Sequence, residues 1–364
     1  MGRPAAGIGA RRPEAHRPGT LGTGMIRAGA AVLAAALVTA GCSHSAHPSA
    51  TGSTSTSTPG TRTARATTTT SVAAATTLAA TTEPWTLPDA VSRPVVLPDG
   101  GDFVILGGLA TGDTSTARVM EVDPTAGQAL VVGQLGLAVH DAAGADINGR
   151  FFVFGGGSFS TVSDVQAWSG AAGGTTVGHL PTARSDLAAT TSDGTSYVVG
   201  GFDGTAIRPE ILATTDGITF RTIGNLAVPV RYGAVAVAGG YLWVVGGVTG
   251  TSEGSTTETD AIQRIDLQSG QTSVTGHLPQ PMGHATAVVI GGQMFVLGGR
   301  SGTVPSSTIW RLSAATGTVT SAGQLPQAMS DAGAVAVGGV GYVVGGETSG
   351  PAAPLDTVVI LHAR

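Results

Sequence analysis

Short apolar runs recur along residues 85–364, and glycine or polar turn residues bound each of them. Six runs end in a glycine pair, at spacings of 48, 45, 46, 52 and 47 residues. Runs of this length favour strands over helices, and a period of 20–50 residues indicates a repeat architecture. The pairs close the segments VILGG, FVFGG, YVVGG, WVVGG, FVLGG and YVVGG, at Gly108, Gly156, Gly201, Gly247, Gly299 and Gly346.

A two-residue turn stands at one fixed distance before every glycine pair, which predicts six β-hairpins in the same register. The turns are Gly100-Gly101, Asn148-Gly149, Asp193-Gly194, Gly239-Gly240, Gly291-Gly292 and Gly338-Gly339. A third strand is predicted in each unit at Arg118–Val122, Asp164–Trp168, Glu210–Ala213, Ala261–Asp266, Thr308–Leu312 and Thr357–Leu361. With a fourth strand, each unit has the pattern of one propeller blade.

The last unit stops after its third strand, near Leu361. The missing fourth strand is available at Thr81–Pro88, and pairing it there would remove an exposed sheet edge. The sequence therefore predicts an all-β, six-bladed β-propeller over residues 81–364, with four antiparallel strands per blade and an N-terminal strand that closes the ring.

The glycine pair after the second strand resembles the mark of the kelch family, and the resemblance covers about 280 residues, 85–364. Later strands largely lack the aromatic pair usual in that family, with Trp168 and Trp310 as partial matches. The resemblance implies a kelch-type propeller that binds a ligand through its loops. It implies no particular ligand.

The N-terminal segment has the layout of a secretory signal: Arg27, an apolar run Ala28–Ala40, and small residues before Cys42. The run is short for a bilayer span. Val38–Cys42 resembles a bacterial lipobox, with Thr39 where leucine is usual. This resemblance implies a diacylated Cys42 and a protein held on the outer face of the cell membrane. The alternative is an ordinary secreted protein with an incidental cysteine.

Residues 1–41 are thus read as a signal peptide with lipobox, and Met25 offers a second start that would make residues 1–24 an over-extended start. Residues 42–80 are rich in Ser, Thr and Ala, a composition typical of a disordered stalk, with glycosylation left open.

The net charge of the chain argues against nucleic acid as a partner. The chain holds 18 Arg and no Lys, typical of a GC-rich, actinobacterial-like genome, against 23 acidic residues. Seven Arg and two Glu precede residue 85, so the rest carries 11 Arg against 21 acids, a net charge of about −10. Such a surface lacks the basic patch that nucleic acids require. We expect a monomer that contacts the membrane through the lipid anchor only.

One polar or aromatic residue per blade lies 14 positions before the first glycine of each pair, at the predicted mouth of the central channel. These six are Arg93, Asp141, Asp186, Tyr232, His284 and Asp331, and Arg231 joins them as a seventh candidate. In kelch proteins that this chain resembles, a matching Arg reads an acidic peptide. Three Asp and one Arg here favour a cationic or hydroxyl-rich ligand such as a sugar. The alternative is that these residues satisfy turn backbone groups.

Loop residues add weaker candidates, for which a buried anchoring role is favoured over ligand contact: Phe159, Phe202, Asp203, Arg300 and Glu347. The longest loop, Thr249–Asp260, holds Glu253, Glu258 and Asp260; calcium is conceivable there, but a solvated acidic loop is favoured. His179 and His277 occupy equivalent blade positions and are interpreted as structural. No metal or cofactor is predicted.

Enzymatic hypotheses are narrowed by the single cysteine. A copper radical oxidase on this fold needs a Cys crosslinked to Tyr, and Cys42 is assigned to lipid, so that class is excluded. A sugar mutarotase or epimerase similar to the bacterial sialic-acid enzymes stays open, with His284 flanked by Tyr232 and Asp331. A structural envelope protein is the third hypothesis. The leading one is a surface-tethered module that binds a protein or carbohydrate, without catalysis.

Overall fold

The computed structural model describes residues 76–170, 173–251, 257–349 and 353–364. All of them belong to one compact unit, Thr69–Arg364. The signal peptide, Cys42 and residues 42–75 of the stalk lie outside the described residues. The part of the chain that the structure describes contains no α-helix, and so none that is long and apolar enough to cross a membrane.

Six antiparallel sheets of four main strands form the blades of a propeller. The innermost strands are β2 (Val95–Asp99), β8 (Ala143–Ile147), β12 (Ala188–Ser192), β16 (Ala234–Ala238), β20 (Thr286–Ile290) and β25 (Gly333–Val337). The second strands are β3 (Asp102–Leu106), β9 (Arg150–Phe154), β13 (Thr195–Val199), β17 (Tyr241–Val245), β21 (Gln293–Leu297) and β26 (Val340–Val344). The predicted fold class is confirmed.

The third strands are β6 (Arg118–Asp123), β10 (Asp164–Trp168), β14 (Glu210–Thr214), β18 (Ala261–Asp266), β23 (Val304–Leu312) and β27 (Thr357–Ala363). The outer strands are β7 (Gln128–Gln134), β11 (Gly174–His179), β15 (Arg221–Asn225), β19 (Thr272–His277), β24 (Val319–Met329) and β1 (Leu78–Thr86). Short strands β4 (Leu109–Ala110), β5 (Thr114–Ser115) and β22 (Arg300–Ser301) stiffen two of the loops.

All six predicted two-residue turns are confirmed by the strand register. Ile147 pairs with Arg150 and Ser192 with Thr195, so only the turn residues separate each pair of strands. Asn148 and Asp193 take positive φ, as this tight hairpin turn requires.

The glycine pairs are the joints between blades. The N–H of Gly346 donates to the Val91 carbonyl of the adjoining blade, and a Cβ on Gly345 would collide with the same oxygen. This arrangement repeats at every joint between blades. The first glycine leaves space for a carbonyl oxygen of the adjoining blade, and the N–H of the second glycine donates a hydrogen bond to that oxygen. The accepting carbonyls belong to Val139, Arg184, Val230, Met282, Met329 and Val91. This explains why the pair marks each repeat.

The N-terminal strand closes the ring, as predicted. β1 pairs with β27, with Leu78 opposite Ala363 and Thr86 opposite Thr357. The strand begins at Leu78, before the boundary at Thr81 that the sequence indicates, because the pairing continues to the end of β27.

Strand direction defines two faces of the disc. Innermost strands run from the channel mouth to the two-residue turns, so we name these the mouth face and the turn face. β27 runs toward the turn face, and antiparallel β1 starts there. Thr76 and Thr77 donate backbone hydrogen bonds to the carbonyl of Arg364. Both ends of the described propeller therefore lie on the turn face.

Aromatic side chains of the second strands fill the spaces between blades, which offsets the low aromatic content. At one equivalent position they are Phe152, Tyr197, Trp243, Phe295 and Tyr342, with Val104 in the first blade. Phe103 and Tyr342 join the first and last blades, with ring centroids 5.4 Å apart.

Candidate functional site

Six predicted site residues meet at one end of the central channel. We name Arg93, Asp141, Asp186, Tyr232, His284 and Asp331 the mouth ring; all six line one cavity of about 200 Å³. Directly beneath them the cavity floor is small and mostly apolar, built from Pro94, Ala142, Leu187, Gly233, Ala285 and Ala332. Arg231 is outside the lining but contacts the ring through Asp186. A ligand here would meet a polar rim above an apolar floor.

Every mouth-ring residue has a left-handed backbone. Nine described non-glycine residues have positive φ, and six of them form the mouth ring, with φ from 51° to 59°. This conformation costs about 1–2 kcal/mol for a residue with a Cβ, and glycine would avoid that cost. A chain with 57 glycines nevertheless places large polar side chains at these positions.

The left-handed turn has a structural consequence. It points the backbone N–H of one ring residue at the carbonyl of the ring residue in the preceding blade. Five hydrogen bonds of 2.7–3.0 Å result, donated by Arg93 to Asp331, Asp186 to Asp141, Tyr232 to Asp186, His284 to Tyr232 and Asp331 to His284. The backbone geometry thus serves ring closure, which glycine could also provide. The side chains need a separate explanation.

Arg93 is the hub of the ion pairs. Its Nη1 lies 3.2 Å from Oδ2 of Asp141, and its Nε lies 3.2 Å from Oε1 of Glu347 and 3.6 Å from Oδ1 of Asp331. Burial by itself disfavours the guanidinium charge, yet the facing carboxylates Asp141 and Asp331 hold the pKa of Arg93 above its ordinary value.

Asp186 pairs with Arg231, whose Nη1 lies 3.0 Å from Oδ2 of the aspartate. Burial, and then the charge of Asp141, raise the pKa of Asp186 to about 6, although Arg231 opposes them. The hydroxyl of Tyr232 donates to Oδ2 of Asp141 at 3.2 Å, and burial raises the pKa of Tyr232 well above its usual range. Arg231 also stacks on the ring of Phe202, 5.0 Å from its centroid.

His284 has both ring nitrogens engaged. Arg300 donates from Nη2 to Nε2 of His284 at 2.9 Å, so the proton lies on Nδ1, which donates to Oδ1 of Asp331 at 2.7 Å. Burial alone would raise the pKa of Asp331, but the bond to His284 and the charge of Arg93 hold it well below its usual range. Tyr232 stacks on His284 with centroids 3.9 Å apart.

Glu347 belongs to the site although it lies outside the cavity lining. Its side chain is 0% exposed, and its Oε1 accepts from Ser92 at 2.7 Å and from Arg93. Its Oε2 has no hydrogen-bond partner among the described residues. Burial, and then the charge of Asp331, raise the pKa of Glu347. Its anchoring role was predicted; its ion pair with Arg93 was not, because the two lie 254 positions apart.

Phe159 is fully exposed, so the buried role expected for this residue is wrong. Its loop, between β9 and β10, has its ends joined by a bridge of Gly157 to Thr161, which leaves the tip in solvent. Phe202 and Arg300 instead contact Arg231 and His284, as loop anchors would.

The acidic loop offers no cation site in its described part. Glu258 accepts from the N–H of Gly302 at 3.1 Å, and Asp260 bonds Nδ1 of His277 at 2.9 Å. Glu253 lies outside the described residues. Within residues 76–170, 173–251, 257–349 and 353–364, no group of three or more His, Cys, Asp or Glu side chains is placed to hold a metal ion.

Comparison with known proteins supports this architecture. The model of the Kelch motif matches residues 281–326, which run from the fifth blade's mouth-ring segment through most of β24. The solved structure of YjhT is similar with a TM-score of 0.64, at 16% identity over 75% of this chain and 95% of that chain. No curated protein matches the sequence. This chain is therefore a six-bladed β-propeller with a Kelch motif in its fifth blade.

Proposed function

We propose that the propeller is a binding module whose mouth ring captures a hydroxyl-rich ligand, a glycan or a polar protein loop. The observation that supports this proposal is that the six mouth-ring residues, all with a left-handed backbone, are Arg, Asp, Tyr and His, although glycine would adopt the same backbone conformation more easily. Strained non-glycine backbone that converges on one cavity is typical of functional sites.

Charge balance favours an uncharged ligand group over a cation or anion. Each carboxylate of the ring has a cation beside it: Asp141 has Arg93, Asp186 has Arg231, and Asp331 has Arg93 and Arg300. A charged ligand would have to compete with these internal pairs. Hydroxyl groups bind to the remaining donor and acceptor positions without breaking them.

A mutarotase or epimerase would use the same cavity, but the geometry of His284 supports binding instead. A general base needs a free nitrogen within reach of the substrate. Both nitrogens of His284 are held, by Arg300 and Asp331, so catalysis would first require Arg300 to leave.

The tether is also a proposal. A signal sequence that ends at Cys42 would place the module outside the cell, on the outer face of the membrane. Incorporation of labelled palmitate into the wild type and its loss in Cys42→Ala would support this, and equal labelling of both would contradict it.

The binding proposal is tested with the full chain on an array of neutral and charged glycans and in pull-downs from envelope extracts. Asp141→Asn and Tyr232→Phe keep side-chain shape but change the polar rim, and each should weaken capture at least tenfold. Asp193→Asn is the matched control, because Asp193 is also left-handed but lies in a turn on the turn face. Unchanged capture by both ring variants, or no ligand for the wild type, contradicts the proposal.

A further inference from the structure

Phe159 is the only exposed aromatic side chain among the residues that the structure describes. It stands between Ser158 and Ser160, at the tip of the loop that joins β9 to β10. Second strands run from the turn face to the mouth face, so this tip lies on the mouth face. Single exposed hydrophobic residues are common on protein surfaces, and exposure by itself assigns no function. The support and the surroundings of this ring make it informative.

Hydrogen bonds hold the Phe159 loop against the mouth-ring segments. Gly157 exchanges two backbone hydrogen bonds with His140, at 2.7 and 3.0 Å, and is also bridged to Thr161. The Thr161 hydroxyl lies 3.4 Å from the hydroxyl of Ser185. His140 and Ser185 directly precede two mouth-ring aspartates in the chain. Both sides of the loop are therefore fixed next to the ring, and a residue held in this way loses little entropy when it binds a ligand.

The equivalent loops show that this fold does not need an aromatic residue at the tip. In the first, third and fifth blades the tips carry small or polar residues: Gly112 and Asp113, Gly204 and Thr205, and Gly302 and Thr303. Val304 is the only other large hydrophobic residue that is exposed in a described mouth-face loop. It belongs to the fifth blade, three blades away from Phe159, so the two side chains form no common apolar patch.

An isolated phenyl ring with polar neighbours matches a sugar better than a protein surface. Protein interfaces bury apolar residues together at their centre, and no such cluster surrounds Phe159 among the described residues. A pyranose ring with equatorial hydroxyls offers C–H bonds on its two faces and hydroxyls along its edge. The C–H bonds stack on the negative face of a phenyl ring. The hydroxyls match the polar rim of the mouth ring, where each carboxylate already has a cation beside it.

We propose that Phe159 is an outer subsite of the mouth ring for an uncharged oligosaccharide of β-1,4-linked pyranose rings. One sugar ring stacks on Phe159, and hydroxyls of another bind at Asp141 and Tyr232. A chain of rings can occupy the loop tip and the mouth together, and the β-1,4 linkage keeps it extended with flat faces exposed. This inference rests on the proposed function and narrows its ligand from a glycan or a polar protein loop to a flat, neutral oligosaccharide.

The test is calorimetric titration of the full-length protein with cellotetraose, an oligomer of β-1,4-linked glucose. Phe159→Ala should weaken binding about three- to tenfold, and so should Phe159→Leu, because leucine keeps the hydrophobicity but lacks the aromatic face. Phe159→Trp should bind at least as tightly as the wild type. Maltotetraose, which has the same rings in a curved α-1,4-linked chain, should bind more weakly than cellotetraose.

Val304→Ala is the matched control, because Val304 is also an exposed hydrophobic residue in a mouth-face loop, and it should leave cellotetraose affinity unchanged. Phe159 is fully exposed, so urea denaturation should give the same stability for its variants and for the wild type. The inference is overturned if cellotetraose does not bind to the wild type, if Phe159→Ala keeps wild-type affinity, or if maltotetraose binds equally well. Wild-type affinity in Phe159→Leu would also overturn it and would indicate the general hydrophobic contact of a protein partner.

Tyr232→Phe separates failure of this inference from failure of the proposed function. Weakened glycan capture in Tyr232→Phe together with unchanged capture in Phe159→Ala would keep the mouth ring as the site and overturn the subsite. The reverse pattern would keep stacking on Phe159 and contradict the mouth ring.

Discussion

Arg93 of the first blade and Glu347 of the last face each other across the seam where the chain closes on itself, with Nε 3.2 Å from Oε1. Glu347 is fully buried, and Arg93 is nearly so. The same arginine reaches Asp141 of the second blade. The candidate binding residues are therefore also part of what holds the seam together.

Removal of Arg93 should be costly. Arg93→Ala leaves buried Glu347 and Asp331 without their shared cation, which should lower the free energy of unfolding by about 3–5 kcal/mol. Urea denaturation measures this. Arg118→Ala is the control, because the Arg118–Asp89 pair is exposed and should cost less than about 1 kcal/mol. Equal losses in both variants would contradict a special role for the seam.

A second prediction concerns the closing strand. Deletion of residues 1–86 removes β1 and exposes the edge of β27, so thermal unfolding should begin at a much lower temperature or the protein should aggregate. Deletion of residues 1–68, which ends before the compact unit begins, should leave the transition unchanged. Calorimetry compares the two, and coincident transitions would contradict closure by β1.

The glycine joints make a third prediction, with a control that has the same backbone conformation. Gly345 and Gly338 both have positive φ, so alanine at either costs about 1–2 kcal/mol. At Gly345 the new Cβ also meets the Val91 carbonyl, whereas nothing lies near Gly338. Gly345→Ala should therefore lose at least about 3 kcal/mol of unfolding free energy, or fail to fold. Equal losses of unfolding free energy for Gly345→Ala and Gly338→Ala would contradict the steric requirement at the joint.

The fourth prediction is a dependence of stability on pH. Asp186 has an ordinary pKa of 3.8 when unfolded and about 6 when folded, so the folded state holds more protons between about pH 4 and pH 6. Stability contributed by this residue should therefore fall as pH rises through that window, by roughly 2–3 kcal/mol. Asp331 has a lowered pKa, so its contribution has the opposite sign and changes below about pH 4.

Urea denaturation at a series of pH values separates these contributions. Asp186→Asn should reduce the fall in stability between pH 4 and pH 6, and Asp193→Asn should leave it in place. A slope that is unchanged in Asp186→Asn would show that another group, for which buried Glu347 with its raised pKa is the first choice, carries the effect.

Repeats made the fold predictable from sequence. A two-residue turn and a glycine pair at fixed separation set strand number, register and blade count, because each repeat uses the same local chemistry. Even the mouth ring could be located by counting from the pairs. The side-chain partners could not, since Arg93 meets Asp141 of the next blade and, through the closure of the ring, Glu347 of the last.

The left-handed backbone of the mouth ring was also invisible in the sequence. Left-handed positions are usually sought at glycine and asparagine, yet here they hold Arg, Tyr and His. The cause is the set of backbone hydrogen bonds between ring residues of neighbouring blades, which forms only in the tertiary structure. Phe159 shows the converse limit: its hydrophobicity suggested burial, but it lies at the tip of a loop whose ends are joined by the Gly157–Thr161 bridge, and it is exposed.

Thr76 and Arg364 meet on the turn face, so the first and last residues of the described propeller lie close together. Joining these ends by a short linker and opening the chain at another turn-face hairpin, such as Gly239-Gly240, would give a circular permutant with all six joints intact. The order in which the blades are synthesised could then be varied while the mouth ring stays the same. Comparing such permutants would test whether folding starts at a particular blade.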